Sequence, residues 1–187
     1  MSSDAPSPSE IVQLRDGSHV TLRPATAGDE AALRSFLSGL CLEARRLRFF
    51  SGAADINSVA HWATATGPDR YGLIAHDRTG AIAGHATYVQ LDSARGLPTR
   101  AEVAVEVADD LHGRGLGTIL VERLAAIAER RGIARFLAEV LPENQAMLDV
   151  FRDGFDARPH FHDGVDSVEF PTSAWRLARR VRQGPAP

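Results

Sequence analysis

The segment His112-Gly-Arg-Gly-Leu-Gly117 sets three glycines at alternate positions just ahead of an amphipathic run, and the chemistry available there is anion binding. The first N–H groups of a helix have no intrahelical partner, and Gly113, Gly115 and Gly117 remove the side chains that would keep a ligand from them. The positive end of the helix dipole and the Arg114 guanidinium complete a cradle for a phosphate or diphosphate. Two related cradles are excluded. GxxxxGK[ST] requires a lysine, and the chain has none; GxGxxG fails in both registers, because Thr118 and Leu120 take the third glycine position. Upstream, Glu102 and Glu106 stand on one face of an alternating run, and downstream Asn144 opens a second amphipathic run. The seven histidines show no ligand spacing, and His160 and His162 lack a third partner, so no metal is expected.

Positioning these groups calls for a strand, a turn and a helix in succession. Ala101, Val103, Val105 and Val107 alternate with Glu102, Ala104, Glu106 and Ala108, the period of a strand with two distinct faces. Leu116, Ile119, Leu120, Leu124 and Ile127 fall on one face of a helix from about Arg114 to Arg131, with Gly132 as its C-cap. Before this unit, His19 to Arg23 reads as a strand ended by Pro24. Thr26-x-x-Asp29 is a capping box for a helix carrying Leu33, Phe36, Leu37 and Leu40. A second helix spans Glu43 to Phe50 with Leu47 and Phe50 inward, and a third starts at Asp55 as N-cap. Tyr71 to His76 and Ala81 to Leu91 form antiparallel strands joined through Asp77–Gly80, and residues 92–99 are a loop. After the long helix come a strand from Phe136 to Leu141 and a helix carrying Met147, Leu148 and Phe151 and closed by Gly154. Asp163-Gly164 then turns a hairpin. This order predicts an α+β fold with a mixed, mostly antiparallel central sheet of about seven strands flanked by helices. One domain over residues 18–172 is expected, with a disordered N-terminal tail at 1–17 and a basic tail at 173–187.

Composition narrows the setting. A chain of 187 residues supports one domain with a full-sized core. No stretch approaches the roughly 20 apolar residues of a membrane span, and the polar N-terminus lacks a signal-peptide core, so a cytoplasmic protein is expected. The net charge of −3 gives no reason to expect nucleic acid or a membrane surface as partner. Cys41, the single cysteine, excludes an intramolecular disulfide and reads as a small core residue.

The loop His112-Gly-Arg-Gly-Leu-Gly117 resembles the (Gln/Arg)-x-x-Gly-x-(Gly/Ala) motif of the GNAT superfamily of acyl-CoA-dependent N-acyltransferases, with His112 in place of the usual Gln or Arg. The order of elements from 19 to 171 is similar to that family's arrangement, and Asn144 with Met147 and Gly154-Phe155 resembles its Asn-x-x-(Ala/Met)…Gly-Phe segment. Leu22-Arg-Pro and Glu43-x-x-x-Leu-Arg-Phe-Phe50 further resemble the bacterial protein lysine acetyltransferases of the Pat type. The resemblance implies acetyl-CoA as co-substrate, with His112, Gly113, Arg114, Gly115, Leu116, Gly117 and Thr118 around its diphosphate. It also implies main-chain contacts from Val105 and Val107 to the pantetheine arm, and Asn144, Met147 and Phe151 beside that arm. Many members carry a tyrosine acid where Phe151 stands, so a side-chain donor to the departing thiolate is not expected.

Such a reaction must remove a proton from the acceptor. A lysine amine has a reference pKa of about 10.4, so only on the order of one molecule in a thousand is free amine at neutral pH. Ala101-Glu-Val-Ala104 matches the Pat-type context of a glutamate about ten residues before the glycine loop, which nominates Glu102 as general base. Glu106, about 13 Å further along the strand, is the rival. The acceptor is expected to be a protein lysine, with a small amine as the alternative; a non-catalytic acyl-CoA sensor is the reading from another class.

Overall fold

The alternating and helical periods lead to thirteen regular elements in the computed structural model, which describes residues 9–49, 55–65, 67–91, 98–177 and 179. The strands are β1 (Glu10–Gln13), β2 (His19–Pro24), β3 (Arg70–His76), β4 (Ile82–Gln90), β5 (Arg100–Val107), β6 (Arg135–Val140), β7 (His160–His162) and β8 (Val165–Pro171). The helices are α1 (Glu30–Gly39), α2 (Leu42–Phe49), α3 (Ile56–Thr64), α4 (Leu116–Arg130) and α5 (Gln145–Phe155). One sheet runs β1-β2-β3-β4-β5-β6-β8-β7. Every neighbouring pair in it is antiparallel except β5 and β6, which run parallel. This is the expected mixed, mostly antiparallel α+β architecture, with eight strands rather than about seven.

The extra strand corrects the reading of residues 1–17 as a tail. Residues 1–8 lie outside the described residues, but Glu10–Gln13 pairs with β2, and Val12 and Leu14 are buried. The Glu10 carboxylate receives two hydrogen bonds from Arg123 on α4, at 2.7 and 2.8 Å, which fastens this edge strand across the fold. The local signal was a hairpin turn at Asp16-Gly17, with Gly17 at φ +85°, following a short apolar run. Cys41 is also corrected. It is exposed at the start of α2, where its Sγ accepts from the Ala44 N–H and its own N–H donates to Asp109. That polar duty at a helix start keeps it out of the core.

Several local expectations hold. Asp29 accepts from the Thr26 N–H and hydroxyl at 2.8 Å, and also binds both terminal nitrogens of Arg23. The Arg23 guanidinium and the Thr26 donors together hold the Asp29 carboxyl well below the usual carboxylate range. Asp55 caps α3 through the Asn57 N–H, Gly132 ends α4 at φ +81°, and Asp163-Gly164 turns between β7 and β8 with both residues at positive φ. Leu47 is half-buried, whereas Phe50 lies outside the described residues, as does most of the 92–99 loop. At the other end of the domain Trp175 docks on α4 by donating to Glu129 at 2.7 Å; residues 180–187 are outside the described residues.

Helices cover both faces of the sheet. A Cβ on Gly84 would lie 3.1 Å from Leu120, so glycine there lets α4 approach the face bearing Val107 and Val105. The opposite face, bearing Glu106 and Ala104, is covered by α1, α2 and α3; a Cβ on Gly72 would lie 3.1 Å from the Ala63 carbonyl of α3. Phe136, Phe151, Phe155 and Phe170 form an aromatic cluster between the sheet and α5.

Candidate active site

Parallel pairing of β5 and β6 lasts for three rungs, Arg100↔Arg135, Ala101↔Phe136 and Glu102↔Leu137, and then the strands part. Beyond Glu102 the two strands form the sides of a wedge, which opens into a cavity of about 420 Å³ reaching down to the glycine loop.

The wall on the β5 side is backbone. The Ala108 N–H donates to the Ala83 carbonyl at 2.9 Å, which sets the phase of the antiparallel β4–β5 ladder. Hydrogen-bonded pairs alternate along such a ladder, so Glu106/His85 and Ala104/Thr87 point their main-chain groups at β4. Val105 and Val107 point theirs away from β4, toward the gap left by β6. An extended, amide-bearing ligand can therefore take the place of the missing strand.

At the foot of the wedge the loop adopts the backbone that its glycines allow. Gly113 and Gly115 have φ of +73° and +85°, a region costly for residues with a Cβ. Gly115 is the N-cap of α4, and His112, Gly113, Leu116, Gly117 and Thr118 also border the cavity. His112, where the motif has Gln or Arg, places Nε2 3.1 Å from the Val107 carbonyl and closes the last acceptor of β5. Arg114 departs from expectation. Its guanidinium is turned away from the cavity, donating to Asp16 and to the Asp110 carbonyl at 2.7 Å each. Arg15 instead borders the cavity, with Nε 3.2 Å from where a Gly115 Cβ would be. Arg15 falls within the stretch read as a tail.

On the far side, Asn144 caps α5 by accepting from the Met147 N–H at 3.2 Å, and both residues border the cavity. Phe151 also borders it, 2% exposed, with its ring 5.4 Å from that of Phe170; it seals the wall and offers no proton.

The two candidate glutamates differ sharply. The β4–β5 register is unbroken, so they share a face as expected. Glu102 is exposed at the apex of the wedge, outside every ion pair among the described residues. Glu106 is buried, paired with Arg48 Nε of α2, and accepts from His85 Nδ1 at 2.9 Å. Burial pushes the Glu106 carboxyl up, but the Arg48 charge and the His85 hydrogen bond outweigh it and bring it down to about 2. A carboxylate so held is a weak proton acceptor near neutrality. The buried Nε2 of His85 has no hydrogen-bond partner among the described residues. Neither His85 nor this role of Arg48 was evident from sequence. Arg48 lay in the Pat-like segment but read as one position of a helix.

Comparison with known proteins agrees with this geometry. Residues 41–155 match the acetyltransferase (GNAT) family. Acetyltransferase Pat of Mycolicibacterium smegmatis is 49% identical over 52 residues, which are 28% of this chain and 16% of that protein. The L-methionine sulfoximine/L-methionine sulfone acetyltransferase of Pseudomonas aeruginosa is 31% identical over 80 residues, 43% of this chain and 46% of that protein. The matches thus span less than half the length of these relatives. The crystal structure of the GNAT domain of S. lividans PAT superposes with a TM-score of 0.78 at 36% identity, covering 87% of this chain and 96% of that one. With a wedge between parted parallel strands, a glycine cradle at its foot and a family match across most of the domain, the chain belongs to the acetyltransferase (GNAT) family.

Proposed function

We propose that this protein transfers the acetyl group of acetyl-CoA to a primary amine, with a protein lysine side chain as acceptor, by direct attack within a ternary complex. The observation that carries the reading is the parting of β5 from β6 immediately after the Glu102 rung. A diphosphate on the α4 amides and a pantetheine arm along Val107 and Val105 bring the thioester to the apex, where Glu102 stands. From Val107 to Glu102 is about 16 Å at strand rise. Glu102 takes one proton from the protonated acceptor, directly or through a water; the freed amine then forms the new C–N bond as the C–S bond breaks, and the nitrogen's surplus proton passes to solvent. The thiolate leaves and takes its proton from solvent, because Phe151 has none to give. A requirement for acetyl-CoA favours a cytoplasmic reaction. The Pat likeness and the Glu43–Phe50 segment favour a protein acceptor. The likeness to the sulfoximine acetyltransferase keeps a small amine as second reading. An apolar Phe151 is what a non-catalytic acyl-CoA sensor would also carry.

Thiol release from acetyl-CoA, measured against lysine peptides and small amines in parallel with intact-protein mass spectrometry of acceptor proteins, tests the reading. Turnover highest on protein lysines is expected. Tight binding of acetyl-CoA with no thiol release on any amine identifies a sensor instead. The cradle has its own test. Gly115→Ala forces a Cβ into left-handed backbone at a cost of about 1–2 kcal/mol and displaces Arg15. Calorimetry is expected to show acetyl-CoA affinity reduced by about tenfold, with a Tm lower by about 2–8 °C.

A further inference from the structure

β6 carries a second carboxylate at the apex. Glu139 follows Leu137 by two residues, so by strand alternation it shares a sheet face with Leu137 and with Glu102, which is paired to Leu137 in the last rung. That face is the one on which α2 lies at the level of Glu106; Ala138 and Val140 turn into the core on the other. Glu139 is exposed, borders the cavity and makes no ion pair among the described residues. Arg135 on the same strand is engaged by Glu169, and on α2 Arg48 is engaged by Glu106 and Arg46 by Glu43 and Glu143. Strand spacing and two residues of rise put the Cα atoms of Glu102 and Glu139 about 8 Å apart before the strands part. Two flexible glutamates at that separation can both donate electron pairs to one cation lying between them.

We infer that Glu139 is the acceptor-binding residue on the lip of the wedge opposite Glu102, holding the incoming amine while it is still an ammonium ion. This rests on reading the cleft as an N-acetyltransferase site. Most acceptor molecules arrive protonated at neutral pH, so the cleft must first attract a cation and then strip one proton from it. Glu139 performs the first task and Glu102 the second. When Glu102 takes the proton, the neutral amine keeps a hydrogen bond to Glu139, which turns its lone pair toward the thioester. The acceptor is a cationic primary amine, bound from β6 and deprotonated from β5.

Steady-state kinetics with acetyl-CoA and a lysine peptide on Glu139→Gln, Glu139→Asp and Glu102→Gln separate the two tasks. Loss of a charge-assisted hydrogen bond predicts an acceptor KM raised about tenfold or more in Glu139→Gln, with kcat within about threefold and acetyl-CoA affinity unchanged. Glu139→Asp is expected to recover part of the loss, and Glu102→Gln to show the opposite split, with kcat reduced and KM little changed. An unchanged acceptor KM in Glu139→Gln, or a fall in kcat alone, overturns the inference while leaving acetyl transfer intact. Wild-type protein that binds acetyl-CoA but acetylates no amine overturns the reading beneath it.

Discussion

Glu102→Gln is expected to lower kcat on a lysine acceptor by about a hundredfold or more while leaving the fold and acetyl-CoA binding unchanged. The magnitude is that of a positioned general base, which contributes typically 10²–10⁴-fold. Stability should not move, because Glu102 is exposed and holds no ion pair among the described residues. Glutamine keeps the shape and the hydrogen-bonding oxygen but cannot accept the proton. Residual turnover should therefore rise with pH as the acceptor itself deprotonates. The pH–rate profiles of the two proteins, with calorimetric acetyl-CoA titration as a control, check this. A variant with wild-type kcat at every pH removes Glu102 from the mechanism.

Glu106→Ala is expected to act on the fold, destabilising it by about 3 kcal/mol or more. Removing one member of a buried pair leaves the other charge without compensation, and such losses commonly run to about 3–5 kcal/mol. The lower figure applies because the Arg48 side chain keeps 26% exposure and can turn toward water. Denaturant unfolding measures the effect. The acid limb provides a second readout with a defined sign. The folded-state value of about 2 lies below the ordinary 4.5, so the pairing of Glu106 contributes stability above about pH 4.5 that is lost as pH falls toward 2. In Glu106→Gln that part of the acid dependence disappears. The pair also ties α2 to β5, so both variants should raise the acceptor KM through the displaced wall. A Glu106→Gln protein with wild-type stability and kcat near zero would make Glu106 the base after all.

These two glutamates show where sequence stops being sufficient. They share a strand, a face and a residue type, and alternation alone cannot rank them. What separates them is an arginine 58 residues away in the chain and a histidine 21 residues away, which converge on one carboxylate and leave the other exposed. The cradle was legible because its determinants are local. Glycines that tolerate positive φ, a helix period that starts behind them and a Gly132 stop all lie within 20 residues. The N-cap at Asp55 and the Asp163-Gly164 hairpin were readable for the same reason: backbone preference and side chain belong to the same few residues.

From sequence alone came the fold class, the strand–loop–helix unit with its glycine turn and the pair of candidate glutamates, because each is encoded in short-range period and turn chemistry. Only the tertiary structure decided that Glu10–Gln13 is a strand, that Arg15 and not Arg114 faces the cavity, that Cys41 is exposed and that Glu106 is locked in an ion pair. It alone showed that β5 and β6 part after Glu102. Each of these is a contest between partners distant in the chain, such as Arg114 and Asp16 at 98 residues' separation, and burial and charge settle it only once the chain has closed on itself.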